Sequence, residues 1–243
     1  MIRCIAILLC AALVVVTGCV NADDSHDRAT GKDANADHTS GDGVTHSVNG
    51  SIRISTGQKK DDASTVNGSV HIADNAAVAS AQTVNGSITL GAHATADELH
   101  TVNGSITLGE GASVARAISA VNGTLTLRTG ADAGGALTNV NGKIVLQAAH
   151  VGGGIRTANG NMDIGSNSHV DGGILVQKEN TDVFWFFHWG SGDIPRIVIG
   201  SGAVVQGNLR FERPVHLFVS DSATIGPVTG ATAVKFSGDK PPE

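Results

Sequence analysis

One phrase recurs seven times along the chain: Val48-Asn49-Gly50-Ser51-Ile52, Val66-Asn67-Gly68-Ser69-Val70, Val84-Asn85-Gly86-Ser87-Ile88, Val102-Asn103-Gly104-Ser105-Ile106, Val121-Asn122-Gly123-Thr124-Leu125, Val140-Asn141-Gly142-Lys143-Ile144 and Ala158-Asn159-Gly160-Asn161-Met162. Its asparagines follow one another at spacings of 18, 18, 18, 19, 19 and 18 residues. A period this short and steady specifies a solenoid, in which each repeat buries its apolar side only by stacking on its neighbours. A propeller blade takes about 40 residues. Leucine-rich repeats demand a denser Leu pattern and a helical side, which the Gly and β-branched residues here oppose. A strict hexapeptide helix tolerates no slippage, so the drift between 18 and 19 favours a right-handed coil.

Asn-Gly marks a corner, because both residues tolerate the left-handed backbone region. After it the residues alternate, as in Ser87-Ile88-Thr89-Leu90 and Ser105-Ile106-Thr107-Leu108, with Ile and Leu inward and Ser and Thr outward. A second apolar column recurs at Val78, Ala96, Val114, Ala133, Val151 and Val170, and a third at Leu99, Ile118, Leu137, Ile155 and Ile174. Three short strands per period make a triangular coil. The expected fold is therefore all-β, a single-stranded parallel β-helix of about ten coils stacked ~4.8 Å apart. Asn49, Asn67, Asn85, Asn103, Asn122, Asn141 and Asn159 would then stack at one corner, with their amides hydrogen-bonded up the column as a structural ladder.

Residues 1–18 read as a secretory leader, with one basic residue, Arg3, and an apolar run from Ile5 to Val16. At its end, Val16-Thr17-Gly18-Cys19 resembles the lipobox of bacterial lipoproteins. That resemblance implies cleavage before Cys19 and its lipidation, and Val20 in place of Asp implies the outer membrane, facing the periplasm or the surface. Cys4 and Cys10 leave with the leader, so the mature chain keeps one of three cysteines and has neither a disulfide framework nor a thiolate metal site. Loss of Arg3 takes the formal charge from −6 to −7, and an acidic chain without basic clusters argues against nucleic acid as a partner. Residues 19–45, rich in Asp, His, Gly, Ser and Thr, read as a flexible tether.

The Val-Asn-Gly coils occupy residues 46–177. At 178–196 the period breaks, and five of the eight aromatic residues fall together as Phe184, Trp185, Phe186, Phe187 and Trp189. This insertion is the candidate interaction loop, since Trp and Phe favour interfaces and lipid boundaries. Coils resume over 197–236 with Ile197-Val198-Ile199-Gly200-Ser201-Gly202-Ala203-Val204-Val205-Gln206-Gly207-Asn208-Leu209, followed by a tail at 237–243. This stretch resembles the bactofilin, or polymer-forming cytoskeletal, family, which implies end-to-end self-association. The earlier coils are similar to adhesin-like β-helical proteins of bacterial envelopes, which implies a glycan or protein ligand. Phe211, Phe218 and Phe236 are large enough to plug the C-terminal end.

Little in the sequence points to catalysis. Polysaccharide-active β-helices cluster carboxylates or basic residues on one face of adjacent coils. The outward positions here read Arg53, His71, Thr89, Thr107, Thr126, Val145 and Asp163 in one column and Ser51, Ser69, Ser87, Ser105, Thr124, Lys143 and Asn161 in another. The ten histidines match no defined metal-site spacing, and the Gly-Gly-x-Gly-x-Asp calcium repeat is missing. We expect no cofactor, no metal and no catalytic residue. The expected protein is a lipid-anchored structural or adhesin-like module; a polymer-forming scaffold is the alternative and a polysaccharide-active enzyme the remote one.

Overall fold

A computed structural model describes residues 38–39, 43–178, 194–238 and 241. All of them belong to one unit, Asn35–Glu243. The described chain is a parallel β-solenoid of about ten coils, about 18 residues each, with no helix.

Each coil crosses three faces. The first face, directly after the Asn-Gly corner, is a ten-stranded parallel sheet running from Ile52–Ile54 to Ala233–Phe236. Its inward register reads Ile52, Val70, Ile88, Ile106, Leu125, Ile144, Met162, Ile197, Leu217 and Ala233. The second and third faces share a 17-stranded sheet. Between Lys59 and Asn103 one strand serves both, as in Ala77–Asn85 and Thr95–Asn103. From Ser113 onward they separate into pairs such as Ser113–Val114 with Ile118–Asn122 and His150–Val151 with Ile155–Thr157. Gly134-Gly135 and Gly152-Gly153 stand at two of these breaks, where missing side chains weaken a continuous strand.

The core is a stack of like residues on like. In one coil Ile106, Leu108, Ala112, Val114, Ile118 and Ala120 are all buried, and the same positions are buried in the coils on either side. Burying one Ile or Leu side chain is worth about 1.5–3 kcal/mol, and coil stacking removes both flanks of every such residue from water. A polar column also runs through the interior. Thr65, Thr83, Thr101, Asn139 and Thr157 are buried in register on the third face, with Ala120 interposed.

Three expectations from the sequence are corrected. None of the seven repeated asparagines has a positive φ, and of the glycines after them only Gly142 does (φ +143°). Left-handed backbone lies instead at the corner between the first and second faces, described below. Phe218 is not a plug: strand alternation turns Leu217 and Val219 inward and Phe218 outward, where the Arg196 guanidinium sits 4.9 Å from its ring centroid. Phe211 and Phe236 are buried. Finally, His38–Thr39, within the segment read as tether, pairs antiparallel with Thr45–Ser47. Backbone pairing against an open sheet edge requires no apolar side chain, so composition does not reveal it.

Candidate functional site

The repeated asparagines stand one above another at the corner between the third and first faces. Asn67 Nδ2 donates to Asn49 Oδ1 at 3.0 Å, and Asn85, Asn103, Asn122, Asn141 and Asn159 each donate in turn to the asparagine one coil earlier, at 2.9–3.0 Å. The ladder is polar, with every amide carbonyl directed toward the C-terminal coils. At that end Arg213 Nη1 donates to Asn159 Oδ1 and, at 3.2 Å, to the Ala158 carbonyl, placing a cation at the electronegative end. Beside the ladder, the Ser51, Ser69, Ser87 and Ser105 hydroxyl oxygens each accept a backbone N–H from the next coil at 3.2 Å.

The glycine of each pair is required by coil-to-coil contact. A Cβ on Gly86, Gly104 or Gly123 would lie 1.9 Å from the carbonyl oxygen of the glycine one coil earlier. That same carbonyl is bonded from inside the coil: Thr65, Thr83 and Thr101 donate their hydroxyls to the Gly50, Gly68 and Gly86 carbonyls at 2.8–3.0 Å. Asn139 Nδ2 does the same for Gly123 at 2.9 Å and leaves its buried Oδ1 without a hydrogen-bond partner among the described residues.

Of the other residues singled out in the sequence, Cys19 and Phe184, Trp185, Phe186, Phe187 and Trp189 lie outside the described residues. The register pairs Thr157 with Val176 and Met162 with Ile197, so residues 177–196 connect what residues 158–161 connect one coil earlier. The insertion thus takes the place of an Asn-Gly corner, and the ladder ends where it begins.

A set of side chains that the sequence did not single out lies on the outward side of the second face. Asp132, His150 and His169 are consecutive in the coil register. His150 Nδ1 lies 2.5 Å from Asp132 Oδ1, and its Nε2 lies 3.1 Å from Asp171 Oδ2. His169 Nε2 is 2.8 Å from the other oxygen of the Asp171 carboxylate. A ring facing carboxylates through both nitrogens is favoured as the imidazolium. The hydrogen bond to Asp132, then that to Asp171, raises the His150 pKa above its ordinary value, against the opposing effect of burial. The Asp171 carboxyl is correspondingly lowered, chiefly by its bond to His150. Gln206 Nε2 is also 2.8 Å from His169 Nε2. Among the described residues no group of three or more His, Cys, Asp or Glu side chains is placed to hold a metal ion.

At the neighbouring corner, Gly153, Gly154 and Gly173 open a shallow notch of about 210 Å³ whose lining includes Arg156, Leu175, Asn208 and Arg210. The outward positions there follow the coil register Arg156, Leu175, Arg210.

Compared with protein-family models, curated proteins and solved structures, the chain matches none.

Proposed function

We propose that the protein is a non-enzymatic, lipid-anchored component of a bacterial cell envelope, whose β-helix serves as a structural or adhesin-like module. The observation that carries this reading is the junction of Val16-Thr17-Gly18-Cys19 with a long regular solenoid. Lipidation at Cys19 with two or more acyl chains holds the chain stably at a membrane. The β-helix then presents outward columns on three faces, held by bonds that repeat from coil to coil. Those columns and the aromatic insertion Phe184–Trp189 are the surfaces for a glycan or protein partner.

The test is expression of the full chain in a bacterial host with a clickable fatty acid, followed by mass spectrometry of the mature N-terminus and envelope fractionation. The reading requires an acylated Cys19 in the outer-membrane fraction and loss of the acyl label in Cys19→Ala. An unmodified Cys19, or acyl label retained by Cys19→Ala, would contradict it.

A polymer-forming scaffold is the second reading, favoured by one feature. In the ten-stranded sheet Ile52–Ile54 and Ala233–Phe236 each have a single strand neighbour, and Val234 on the last strand is 48% exposed. Such edges are templates for pairing with another chain. Filaments of residues 20–243 in negative-stain images would favour the scaffold, and a monomer at all concentrations would exclude it for this part of the chain.

A further inference from the structure

We propose that the notch between Arg156 and Arg210 is a binding site for an acidic polysaccharide, which rests on the envelope-module reading and names its ligand class. Arg156 and Arg210 project from the third face two coils apart, with Leu175 between them. At the spacing of stacked strands their Cα atoms are about 9.5 Å from one another. The pair therefore fits anions on alternate units of an extended polymer, and Leu175 offers an apolar platform for the C–H face of the ring between.

The notch is built into the coil packing. A Cβ on Gly153 would stand 2.5 Å from the Ala136 backbone nitrogen, and one on Gly173 would stand 2.1 Å from the Asn208 carbonyl oxygen. Neither glycine can be replaced without parting the coils, so the depression is a fixed feature of this corner. It exposes backbone and the Asn208 side of the groove to hydroxyl groups, which a sugar supplies in both donor and acceptor form.

The charges suit a bound carboxylate. Arg156 makes no ion pair among the described residues. Arg210 Nη2 lies 2.9 Å from Glu212 Oε1 in an exposed pair that leaves further guanidinium donors available. The nearby acid Asp171 is engaged by His150 and His169, 3.1 and 2.8 Å away. Two arginines on a chain of formal charge −6 are too few for the phosphate tracking that nucleic acid requires, and among the described residues the notch has no aromatic platform on which a base would stack.

The experiment is calorimetric titration of the mature protein with an oligogalacturonate and with its methyl-esterified, neutral counterpart, at low and high salt. Arg156→Ala, Arg210→Ala and the double variant are compared with Arg53→Ala on the first face, thermal melts confirming that each remains folded. The proposal predicts binding of the acid form only, weakening with salt, with about a tenfold loss for each single variant and no change for Arg53→Ala. Binding that persists in the double variant overturns this site while leaving a glycan-binding module elsewhere on the solenoid. Equal binding of the neutral ester, or no binding of the acid form, overturns the proposal itself; acylation of Cys19, measured separately, reports on the envelope reading whatever the sugar result.

Discussion

The two corners that flank the first face solve opposite problems. At the corner between first and second faces, the backbone is left-handed in coil after coil: Gly57, Asn75, His93, Gly111, Gly130, Ala148, Asn167 and Gly202 have φ between +47° and +72°. The demand is local, and the residue changes freely among Gly, Asn, His and Ala. At the corner between third and first faces only Gly142 has a positive φ, yet Asn-Gly repeats seven times without change. There the constraint comes from the next coil, through the amide ladder and a glycine-to-carbonyl approach closer than any side chain allows. Repetition within this chain therefore tracks contact between coils more closely than backbone conformation within one.

The largest effect should follow from adding bulk at the close corner. Gly86→Val places a branched side chain against the Gly68 carbonyl, and we expect a loss of about 3 kcal/mol or more, read as a fall in the urea midpoint. Removing a ladder amide should cost less. Asn103→Ala deletes one bond to Asn85 and one from Asn122, for about 1–2 kcal/mol, whereas Asn49→Ala at the end of the ladder deletes one bond and should cost about half as much. Equal costs would mean that the ladder contributes nothing as a stack. The interior side of the same corner offers a gain. Asn139→Thr replaces a buried amide with an orphaned oxygen by the residue that the following coil uses at this position, Thr157, and should stabilise the fold by about 1 kcal/mol in the same assay.

The smallest effect is electrostatic and lies away from both corners. Because the His150 pKa is raised in the fold, its contribution is fully present below its ordinary value of 6.5 and is lost as pH rises through the folded value. Asp171 is lowered, so its contribution is present above the ordinary 3.8 and is lost as pH falls through the folded value. The pair thus supports stability most evenly between those limits. Asp132→Asn should lower the His150 pKa in an NMR titration and flatten the alkaline side of a melting-temperature profile. An unchanged His150 titration would show that Asp132 does not hold the ring.

These regions also differ in how far the sequence discloses them. The apolar columns are legible because Ile, Leu and Val recur at one phase, and period alone assigns them inward. The interior Thr column is harder to see, because Thr83 and Thr101 lie in strands where outward Thr is equally common; only their place two residues before Asn distinguishes them. The His–Asp set escapes a linear reading because its members lie 18, 19 and 21 residues apart. Written at the coil period, Asp132, His150 and His169 fall in one column, which is the signal that would have found them. The reason for Gly in Asn-Gly is not legible at all, since a turn preference and a steric demand from the next coil ask for the same residue.

That last ambiguity is settled most directly by comparing Gly104→Ala with Gly130→Ala in parallel urea titrations. Gly104 has no positive φ, but its Cβ would lie 1.9 Å from the Gly86 carbonyl oxygen. Gly130 has φ +72°, and its Cβ would have no heavy atom nearer than 3.6 Å. The Gly130 substitution should cost about 1 kcal/mol, the usual penalty for a left-handed non-glycine residue. Inter-coil contact predicts a cost for Gly104 of about 3 kcal/mol, well above that. A Gly104→Ala protein as stable as Gly130→Ala, or more so, would contradict it and return the repeated glycine to a turn former.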